Sequence, residues 1–412
     1  MQKAQTLKGF RDFNPVEMDL RNNVIAKLKS VFQKYGFLEI QTPSLEYAEV
    51  LLGKYGDEAE KLVYTFEDKG GRKVGLRYDL TIPLARYVIT NNSDIIYPFK
   101  AFRIQPVWRA ENTQKGRYRE LCQCDFDIVG SSSLLADAEV ICILYESFTS
   151  LGFMAFKIKI NSRDILYNCL KDAGIPKEKW QTALSVIDKL DKKSEKEVLD
   201  ELNEKGLTKP QTDKLFFGIK NSKPDETINN VIKYCGKLGI SRNLVFTPNL
   251  VRGLDYYTKL IFEVTVDEPN IGSIAGGGRY DNLIRSLGGP NLPATGASIG
   301  LDRVCDVISE NNLVQKTLNK DQKVLVSVFS DKQIDSSLQV TSLLRNSGIA
   351  TEIYINENDK LDKQLKYAGR NNFTWAVVIG PNEVLKGSVV LKDLKSKKQE
   401  TIPTQALLTK IK

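Results

Sequence analysis

The residues best suited to binding phosphate are concentrated between positions 102 and 130, in the stretch FRIQPVWRAENTQKGRYRELCQCDFDIVG. Alternation in its flanks predicts two strands, Ala101–Arg109 and Glu120–Val129, joined by a polar loop that contains Arg117 and Arg119. Guanidinium groups fixed on a hairpin suit a polyphosphate ligand, because arginine forms rigid paired hydrogen bonds with phosphate oxygens. The alternative is a charged surface hairpin without a ligand.

The returning strand of this hairpin has two chemically different faces. One face carries Cys122, Cys124, Phe126 and Ile128. The other carries Arg119, Leu121, Gln123, Asp125 and Asp127. Because successive side chains of a strand point to opposite faces, the sequence predicts that the first set packs in a core and the second meets a ligand or solvent.

The composition excludes several kinds of chemistry. The 412 residues include no histidine, so no histidine serves as a catalytic base, a metal ligand or a proton shuttle. The six cysteines contain no Cys-x-x-Cys pair, which argues against a zinc ribbon or a disulfide framework and predicts a reducing compartment. No apolar run reaches the roughly 18 residues of a membrane span, and no secretory signal opens the chain. We expect a cytoplasmic protein with no membrane association.

The net charge of +8 is uneven along the chain. From Gln322 to Lys412 there are 14 lysines and arginines against 9 aspartates and glutamates, which gives +5 in that segment. A basic segment fits a polyanionic partner such as a nucleic acid, and it equally fits a solvated lysine-rich surface.

Periodicity and composition divide the chain into four parts. A core is expected from residues 1–163 and 243–310, where strand patterns dominate. Residues 164–242 are lysine-rich with helical periodicity and predict a helical insertion. Residues 311–321 are polar and indicate a linker. Residues 322–412 follow a β-α-β-α-β order, which predicts a small α/β domain with a partly parallel sheet.

The N-terminal segment predicts a capped amphipathic helix over residues 14–35. Asn14 suits the N-cap, Pro15 the first helical position, and Glu17 completes a capping box. Gly36 is expected to end the helix, and a strand is expected at Phe37–Thr42.

Three further local predictions bear on ligand binding. Alternation over Val74–Ile82 predicts a strand, which would direct Asp79 and Thr81 to one pocket. Gly276–Gly278 lacks the setting of a dinucleotide loop and is interpreted as a tight turn that lets backbone approach a ligand. The adjacent Tyr256–Tyr257 are expected on opposite faces of a strand, with at most one in a pocket.

The 102–130 stretch resembles motif 2 of class II aminoacyl-tRNA synthetases, and its details resemble the histidyl-tRNA synthetase family. Further resemblances follow in the family order and span nearly the whole chain. They are GFRDFNP at 9–15, FLEIQTPSLE at 37–46, LRYDLTIPLARYV at 76–88, LVRGLDYYTKLIFEV at 250–264, AGGGRYDNLI at 275–284 and ATGASIGLDRV at 294–304. The last resembles motif 3, the segment at 37–46 resembles the motif 1 dimer interface, and the C-terminal part resembles the class II anticodon-binding domain.

The resemblance implies roles for particular residues. Those expected to bind ATP are Arg109, Glu111, Arg117, Arg119 and Arg303. Those expected to bind histidine are Asp79, Thr81, Gln123, Asp127, Arg252, Tyr257 and Tyr280. Arg109 and Arg252 are expected to act on the reacting groups, at the α-phosphate and the substrate carboxylate. The metal ligands are left unknown.

What the resemblance implies overall is an α+β protein with an antiparallel sheet core flanked by helices, a helical insertion and a C-terminal α/β anticodon-binding domain. The implied reaction is ATP-dependent ligation of histidine to its tRNA, tRNA(His), through a histidyl-adenylate, with Mg²⁺ bound to ATP and a homodimer as the assembly. The first alternative is a catalytically inactive relative such as the regulatory subunit of ATP phosphoribosyltransferase. The second is a tRNA-sensing module. Loss of the Arg252 signature and of the C-terminal domain would favour the first alternative. This chain contains both the signature and the domain.

The absence of histidine also leads to an expectation about pH. If histidine is the substrate, its imidazole would be the main group that titrates between about pH 5.5 and 7.5. Asp127 is expected to accept a hydrogen bond from one ring nitrogen, with a tyrosine hydroxyl at the other.

Overall fold

The structure is a computed structural model that describes residues 4–52, 62–112, 118–191, 193–240, 242–252, 256–269, 271–311 and 323–411. The chain divides into two compact units, residues 1–318 and 319–412. Within the described part, none of the helices is both long enough and apolar enough to cross a membrane.

The first unit is organised around a sheet of eight strands. In chain order the strands of this unit are β1 Leu38–Glu39, β2 Leu45–Tyr47, β3 Thr65–Glu67, β4 Lys73–Leu76, β5 Phe99–Trp108, β6 Glu120–Val129, β7 Lys157–Ser162, β8 Leu244–Phe246, β9 Leu260–Thr265, β10 Ser273–Arg279 and β11 Ala294–Gly300. The large sheet has the order β1-β5-β6-β11-β10-β9-β7-β8. It is antiparallel except for its two outermost pairs. The remaining three strands form a small antiparallel sheet, β2-β4-β3.

Helices cover the large sheet and connect its strands. They are α1 Pro15–Lys34, α2 Ala48–Leu51, α3 Thr81–Thr90, α4 Leu134–Ser150, α5 Arg163–Asp172, α6 Trp180–Ile187, α7 Glu195–Glu204, α8 Lys209–Asn221, α9 Glu226–Lys237, α10 Leu283–Ser286 and α11 Leu301–Glu310. Residues 163–237 are therefore mostly helical, as the periodicity of this stretch predicts.

Helix α1 confirms the N-terminal prediction, including its capping box between Asn14 and Glu17. Its apolar stripe is buried against the sheet, where the ring of Phe32 lies 4.8 Å from that of Phe126 and 5.3 Å from that of Phe102. The two-faced character of β6 is also confirmed, because Phe126 and its even-numbered neighbours enter this core. The opposite face of β6 is thereby left free to line a cavity.

Two strand predictions were wrong in extent. The strand expected at Phe37–Thr42 has only two residues, Leu38–Glu39, and pairs in parallel with β5. The strand expected at Val74–Ile82 ends at Leu76, and helix α3 begins at Thr81. The reason is Asp79, whose Oδ1 accepts hydrogen bonds from the first two backbone N–H groups of α3, at 3.2 and 3.1 Å.

The second unit is a five-stranded mixed sheet with helices. Its strands are β12 Lys323–Val326, β13 Ala350–Ile353, β14 Trp375–Val378, β15 Ser388–Asp393 and β16 Gln399–Pro403, in the order β13-β12-β14-β15-β16. Its helices are α12 Ile334–Asn346, α13 Leu361–Arg370, α14 Pro381–Lys386 and α15 Leu407–Ile411. The predicted β-α-β-α-β part is confirmed, with β12 parallel to both neighbours. The antiparallel β15 and β16 had not been predicted.

Candidate active site

One cavity of about 990 Å³ opens on the polar face of the large sheet. Ten of the predicted site residues line it, and these are Asp79, Thr81, Arg109, Glu111, Gln123, Asp127, Arg252, Tyr257, Tyr280 and Arg303. Arg119 does not line it, and its guanidinium donates instead to the backbone oxygens of Glu111 and Lys8, at 3.2 and 3.4 Å. Arg117 lies outside the described residues.

Arg109 stands where β5 ends. Its Nε donates to the backbone oxygen of Tyr78 at 3.2 Å, and its guanidinium carbon lies 4.4 Å from the centre of the Tyr78 ring. Its Nη1 is 4.0 Å from Oε1 of Glu111, which also accepts a 3.2 Å hydrogen bond from the Tyr78 hydroxyl. These contacts hold the guanidinium in one orientation at the cavity wall, which is the preorganisation that binding of a phosphate requires.

Arg252 and Arg303 reach the cavity from other elements. Nη1 of Arg252 lies 3.1 Å from Oε2 of Glu263 on β9, and its Nε has no hydrogen-bond partner among the described residues. Arg303, on α11, donates from Nη1 to the backbone oxygen of Ser273. Together with Arg109, three guanidinium groups from distant parts of the sequence line one cavity, so the site is built to hold anionic groups.

A second group of side chains suits an ammonium group. Asp79 and Thr81 both line the cavity, although they do so from the start of α3 and not from a strand. The hydroxyl of Tyr256 lies 3.5 Å from Oδ2 of Asp79 and 3.4 Å from the Thr81 hydroxyl. Gln123 on β6 donates from Nε2 to the hydroxyl of Ser298 at 2.8 Å. Carboxylate, hydroxyl and amide oxygens are thus available in one place.

A third group forms a buried polar cluster. Tyr280 donates its hydroxyl to Oδ1 of Asp127 at 2.5 Å, and Nη2 of Arg103 lies 2.5 Å from Oδ2 of the same carboxylate. Burial, and then the charge of Asp127, raise the pKa of Tyr280 well above its usual value. Tyr280 therefore stays protonated at neutral pH and acts as a donor.

Both adjacent tyrosines line the cavity, so the expectation that at most one would do so was wrong. Tyr256 and Tyr257 precede β9 and do not belong to a strand, and their rings are 4.8 Å apart and inclined at 59°. Alternation between faces holds only within a strand. Burial also raises the pKa of Tyr257, which keeps its hydroxyl available as a donor.

The interpretation of Gly276–Gly278 as a turn was also wrong, because all three residues belong to β10. Glycine is needed at these positions because other groups lie very close to the backbone of β10. A Cβ at Gly277 would overlap the carbonyl oxygen of Gly296 and lie 2.7 Å from Cα of Ala297, whereas a Cβ at Gly276 would lie 2.6 Å from Nη1 of Arg252. Glycine thus lets the strands pack at one position and lets the Arg252 guanidinium lie against the sheet at the other.

This difference predicts opposite effects for two neighbouring substitutions. Gly276→Ala should displace the flexible end of Arg252 with little loss of stability and slow the reaction at the site by about 10–100-fold, as a misplacement near 1 Å does. Gly277→Ala should lower the free energy of unfolding by about 1–3 kcal/mol or more, because its Cβ meets fixed backbone. Urea unfolding and steady-state kinetics of both variants check this. Equal stability losses would contradict it.

Several cavity residues had not been predicted as site residues. Asp125 shares the alternating polar face of β6 with Gln123 and Asp127, so periodicity alone indicated its position. The fully buried Arg103 does not line the cavity, and it carried no such signal, because its role depends on β5 lying beside β6, which places it opposite Asp125.

The described residues contain no group of three or more aspartate, glutamate, cysteine or histidine side chains arranged to hold a metal ion. The site therefore offers no all-protein cage. Magnesium usually binds through one or two carboxylates, water and substrate phosphates. A cavity lined by carboxylates such as Glu263, which is also paired with Arg252, fits that mode.

A largely antiparallel sheet flanked by helices, with arginines and carboxylates converging on one face, is the arrangement that the resemblance to class II aminoacyl-tRNA synthetases implies. The family model for histidyl-tRNA synthetase matches residues 9–304, and the model for an anticodon binding domain matches residues 323–412. The chain therefore belongs to the histidyl-tRNA synthetase family.

Individual proteins agree with this assignment. The chain is 38% identical to the histidine–tRNA ligase of Cytophaga hutchinsonii, with 100% of each chain covered. It is 39% identical to that of Azobacteroides pseudotrichonymphae, over 99% of this chain and 98% of the relative. Among solved structures, the histidyl-tRNA synthetase of Nostoc sp. PCC 7120 superposes with a TM-score of 0.82 at 28% identity, covering 100% of this chain and 99% of the other.

Proposed function

We propose that this protein activates histidine with ATP and transfers the histidyl group to the 3′ end of its tRNA. The observation that carries the proposal is that one and the same cavity is lined by arginines suited to phosphates, by carboxylate and hydroxyl groups suited to an α-ammonium, and by a buried polar cluster. Relatives named as histidine–tRNA ligases match the chain from end to end.

Activation requires two anions to meet. A carboxylate oxygen of histidine attacks the α-phosphorus of ATP, and the bond to the pyrophosphate leaving group breaks. No nucleophilic side chain is needed, so the absence of histidine residues does not impair the step. Arg109 would hold the α-phosphate, Arg303 an outer phosphate, and Arg252 both the substrate carboxylate and the α-phosphate, where charge develops in the transition state.

The other roles are those that the family resemblance implies. Glu111 would contact the adenosine, and Arg119 would have to leave its backbone partners Glu111 and Lys8 to reach an outer phosphate. Arg117 keeps its expected role in ATP binding, although it lies outside the described residues. Asp79, Thr81 and Gln123 would receive the α-ammonium, and Asp127, Tyr257 and Tyr280 would surround the imidazole. Mg²⁺, bound mainly through the phosphates of ATP, would neutralise part of their charge.

The test is histidine-dependent exchange of pyrophosphate into ATP by the purified protein, followed by charging of tRNA. We expect exchange that requires histidine and is not supported by the other amino acids. Absence of exchange, with tRNA charging also absent, would contradict the proposal and favour a binding module.

For the second unit we propose binding of tRNA. The match to the anticodon binding domain and the charge of +5 over residues 322–412 support it. Removing residues 322–412 should reduce aminoacylation far more than pyrophosphate exchange, because exchange does not need tRNA. Binding of tRNA to the full chain should weaken with salt, since neutralised phosphates release counterions. Equal loss in both half-reactions, with the oligomeric state unchanged in sedimentation, would argue against this role.

We further propose a homodimer and a cytoplasmic location. Support for the dimer comes from exposed apolar side chains around the segment that resembles motif 1, namely Leu38, Leu45, Tyr47 and Phe66. Support for the location comes from the six cysteines, all of which are free thiols. Sedimentation equilibrium tests the first proposal, and fractionation of cells tests the second.

A further inference from the structure

The helical insertion leaves and rejoins the core beside the segment that carries Arg252. It leaves where β7 ends and α5 begins at Arg163, and it returns through β8, which pairs in parallel with β7. Residues 247–252 follow β8 and lead to the cavity. The two ends of the insertion therefore meet beside the segment that supplies one arginine of the proposed reaction.

Hydrogen bonds from the end of β7 hold this segment at several points. The backbone oxygen of Ile160 accepts from the N–H group of Thr247 at 2.9 Å. Nδ2 of the fully buried Asn161 donates to the backbone oxygens of Pro248 and Leu250, at 2.9 and 3.0 Å. The segment is thus fixed to β7 as far as residue 250.

Arg163 extends this attachment to Arg252 itself. It is 1% exposed, and its Nη2 donates to the backbone oxygen of Arg252 at 2.6 Å. Its own backbone N–H group donates to the backbone oxygen of Lys259 at 2.8 Å, immediately before β9. One residue therefore joins both ends of a segment that also carries the cavity residues Tyr256 and Tyr257.

The two contacts of Arg163 differ in what a substitution removes. The bond to Lys259 is made by the backbone of Arg163, so it does not depend on the side chain. The bond to Arg252 is made by the guanidinium, so it is lost when the side chain ends short of it. A substitution at position 163 should therefore release the Arg252 end of the segment and leave the end that continues into β9 in place.

Other contacts act on the side chain of Arg252 and not on its backbone. Oε2 of Glu263 lies 3.1 Å from Nη1, and Asp188 of the insertion lines the same cavity with a negative charge that favours the cation. These carboxylates restrain the end of a long side chain, whose reach depends on where its Cα lies. A guanidinium that must meet a reacting phosphate also needs its backbone fixed, since a misplacement of about 1 Å can slow a reaction strongly.

We propose that Arg163 is a positioning residue of the active site, which places the guanidinium of Arg252 for activation of histidine through its hydrogen bond to the Arg252 backbone. The inference rests on the proposed function, because Arg163 would act only through Arg252. It gives the first residue of the helical insertion a part in adenylate formation, and none of the roles that the family resemblance implies includes this residue.

Arg163→Met is expected to lower kcat of pyrophosphate exchange by about 10–100-fold, because the guanidinium of Arg252 loses its place relative to the reacting phosphate. KM for histidine and KM for ATP should each change by less than about threefold, since Arg252 is proposed to act mainly in the transition state. Arg163→Lys should lower kcat by about 3–10-fold, because its nitrogen ends one bond short of Nη2 and lacks the planar fork. Lys171→Met, at an exposed position in the last turn of α5, is the control and should leave kcat and both KM values unchanged.

The decisive measurement combines Arg163→Met with Arg252→Ala. A positioning residue acts through the residue that it positions, so the double variant should be slower than Arg252→Ala alone by less than about twofold. A further loss of about 10–100-fold would show that Arg163 acts independently of Arg252, as a general contribution to the fold would, and would overturn the proposal.

The other outcomes also decide between the alternatives. An unchanged kcat in Arg163→Met overturns the proposal, and so does a loss that appears in KM alone. If circular dichroism shows that Arg163→Met does not fold, Arg163→Lys and its combination with Arg252→Ala decide by the same criteria. Absence of histidine-dependent exchange in the wild type would instead overturn the proposed function. A normal rate in Arg252→Ala would overturn the role of Arg252 and with it the role of Arg163.

Discussion

Replacing Arg252 with alanine is expected to slow formation of histidyl-adenylate by about 10²–10³-fold, which is the usual cost of removing one preorganised donor from a developing charge. The effect should appear mainly in kcat, because the guanidinium is proposed to act most strongly on the transition state. Pyrophosphate exchange at saturating histidine and ATP measures it.

The large rate loss expected for Arg252→Ala follows from the contacts that hold this side chain. Its guanidinium is held over Gly276, where any larger residue would displace it, and it is paired with Glu263 at 3.1 Å. The side chain lines the cavity, where an anionic group can contact its guanidinium. The orientation is therefore fixed before substrate arrives, and little reorganisation is needed during the reaction.

Two further variants make the test specific. Arg252→Lys keeps the charge and removes the paired donors, so it should recover only part of the lost rate. Arg285→Ala, at an exposed position on α10, controls for the loss of a positive charge and should leave exchange unchanged. A normal exchange rate in Arg252→Ala would show that the arginine does not act on the reacting groups.

Sequence reasoning succeeded where one strand had two clearly different faces. In β6 the even-numbered residues from Cys122 to Ile128 face the core, and the odd-numbered Leu121, Gln123, Asp125 and Asp127 line the cavity, as alternation predicts. The capping box of α1 was similarly local, because Asn14 and Glu17 satisfy each other within one turn. Such features depend on neighbours in sequence and can be predicted from it.

Prediction from the sequence failed where a short pattern is compatible with two different structures. The alternation around Asp79 and Thr81 also fits a capped helix start, and the hydrogen bonds of Asp79 to the backbone of α3 decide between them. The three glycines of β10 suggested a turn, but their requirement comes from Gly296 and Arg252, which are distant in sequence. Local patterns do not contain that information.

The pairing of charges across strands was beyond sequence reasoning for the same reason. In the sequence alone, nothing near Arg103 indicates a partner for its charge. The register of β5 with β6 places it opposite Asp125. The family resemblance led to ten of the cavity residues, but this buried cation and the carboxylate beside it became apparent only from the sheet.

A second buried ion pair leads to the largest expected effect on stability. Arg279, at the end of β10, is 2% exposed and contacts the fully buried carboxylate of Asp137 on α4 through Nη2 at 2.5 Å and Nε at 3.1 Å. It also donates to the backbone oxygens of Ser131 and Ser133, at 2.9 and 3.1 Å. One guanidinium therefore joins the central sheet to the helix that covers it.

Arg279→Met should lower the free energy of unfolding by about 3–5 kcal/mol, because it leaves Asp137 buried without a counter-charge. Urea unfolding followed by circular dichroism measures the change. Replacing both partners, as Arg279→Met with Asp137→Leu, should recover much of the loss, since two apolar groups need no pairing. Lys29→Met removes one partner of the exposed pair with Glu39 and should cost less than about 1 kcal/mol. If Arg279→Met costs no more than Lys29→Met, the buried pair does not stabilise the fold in the way its geometry indicates.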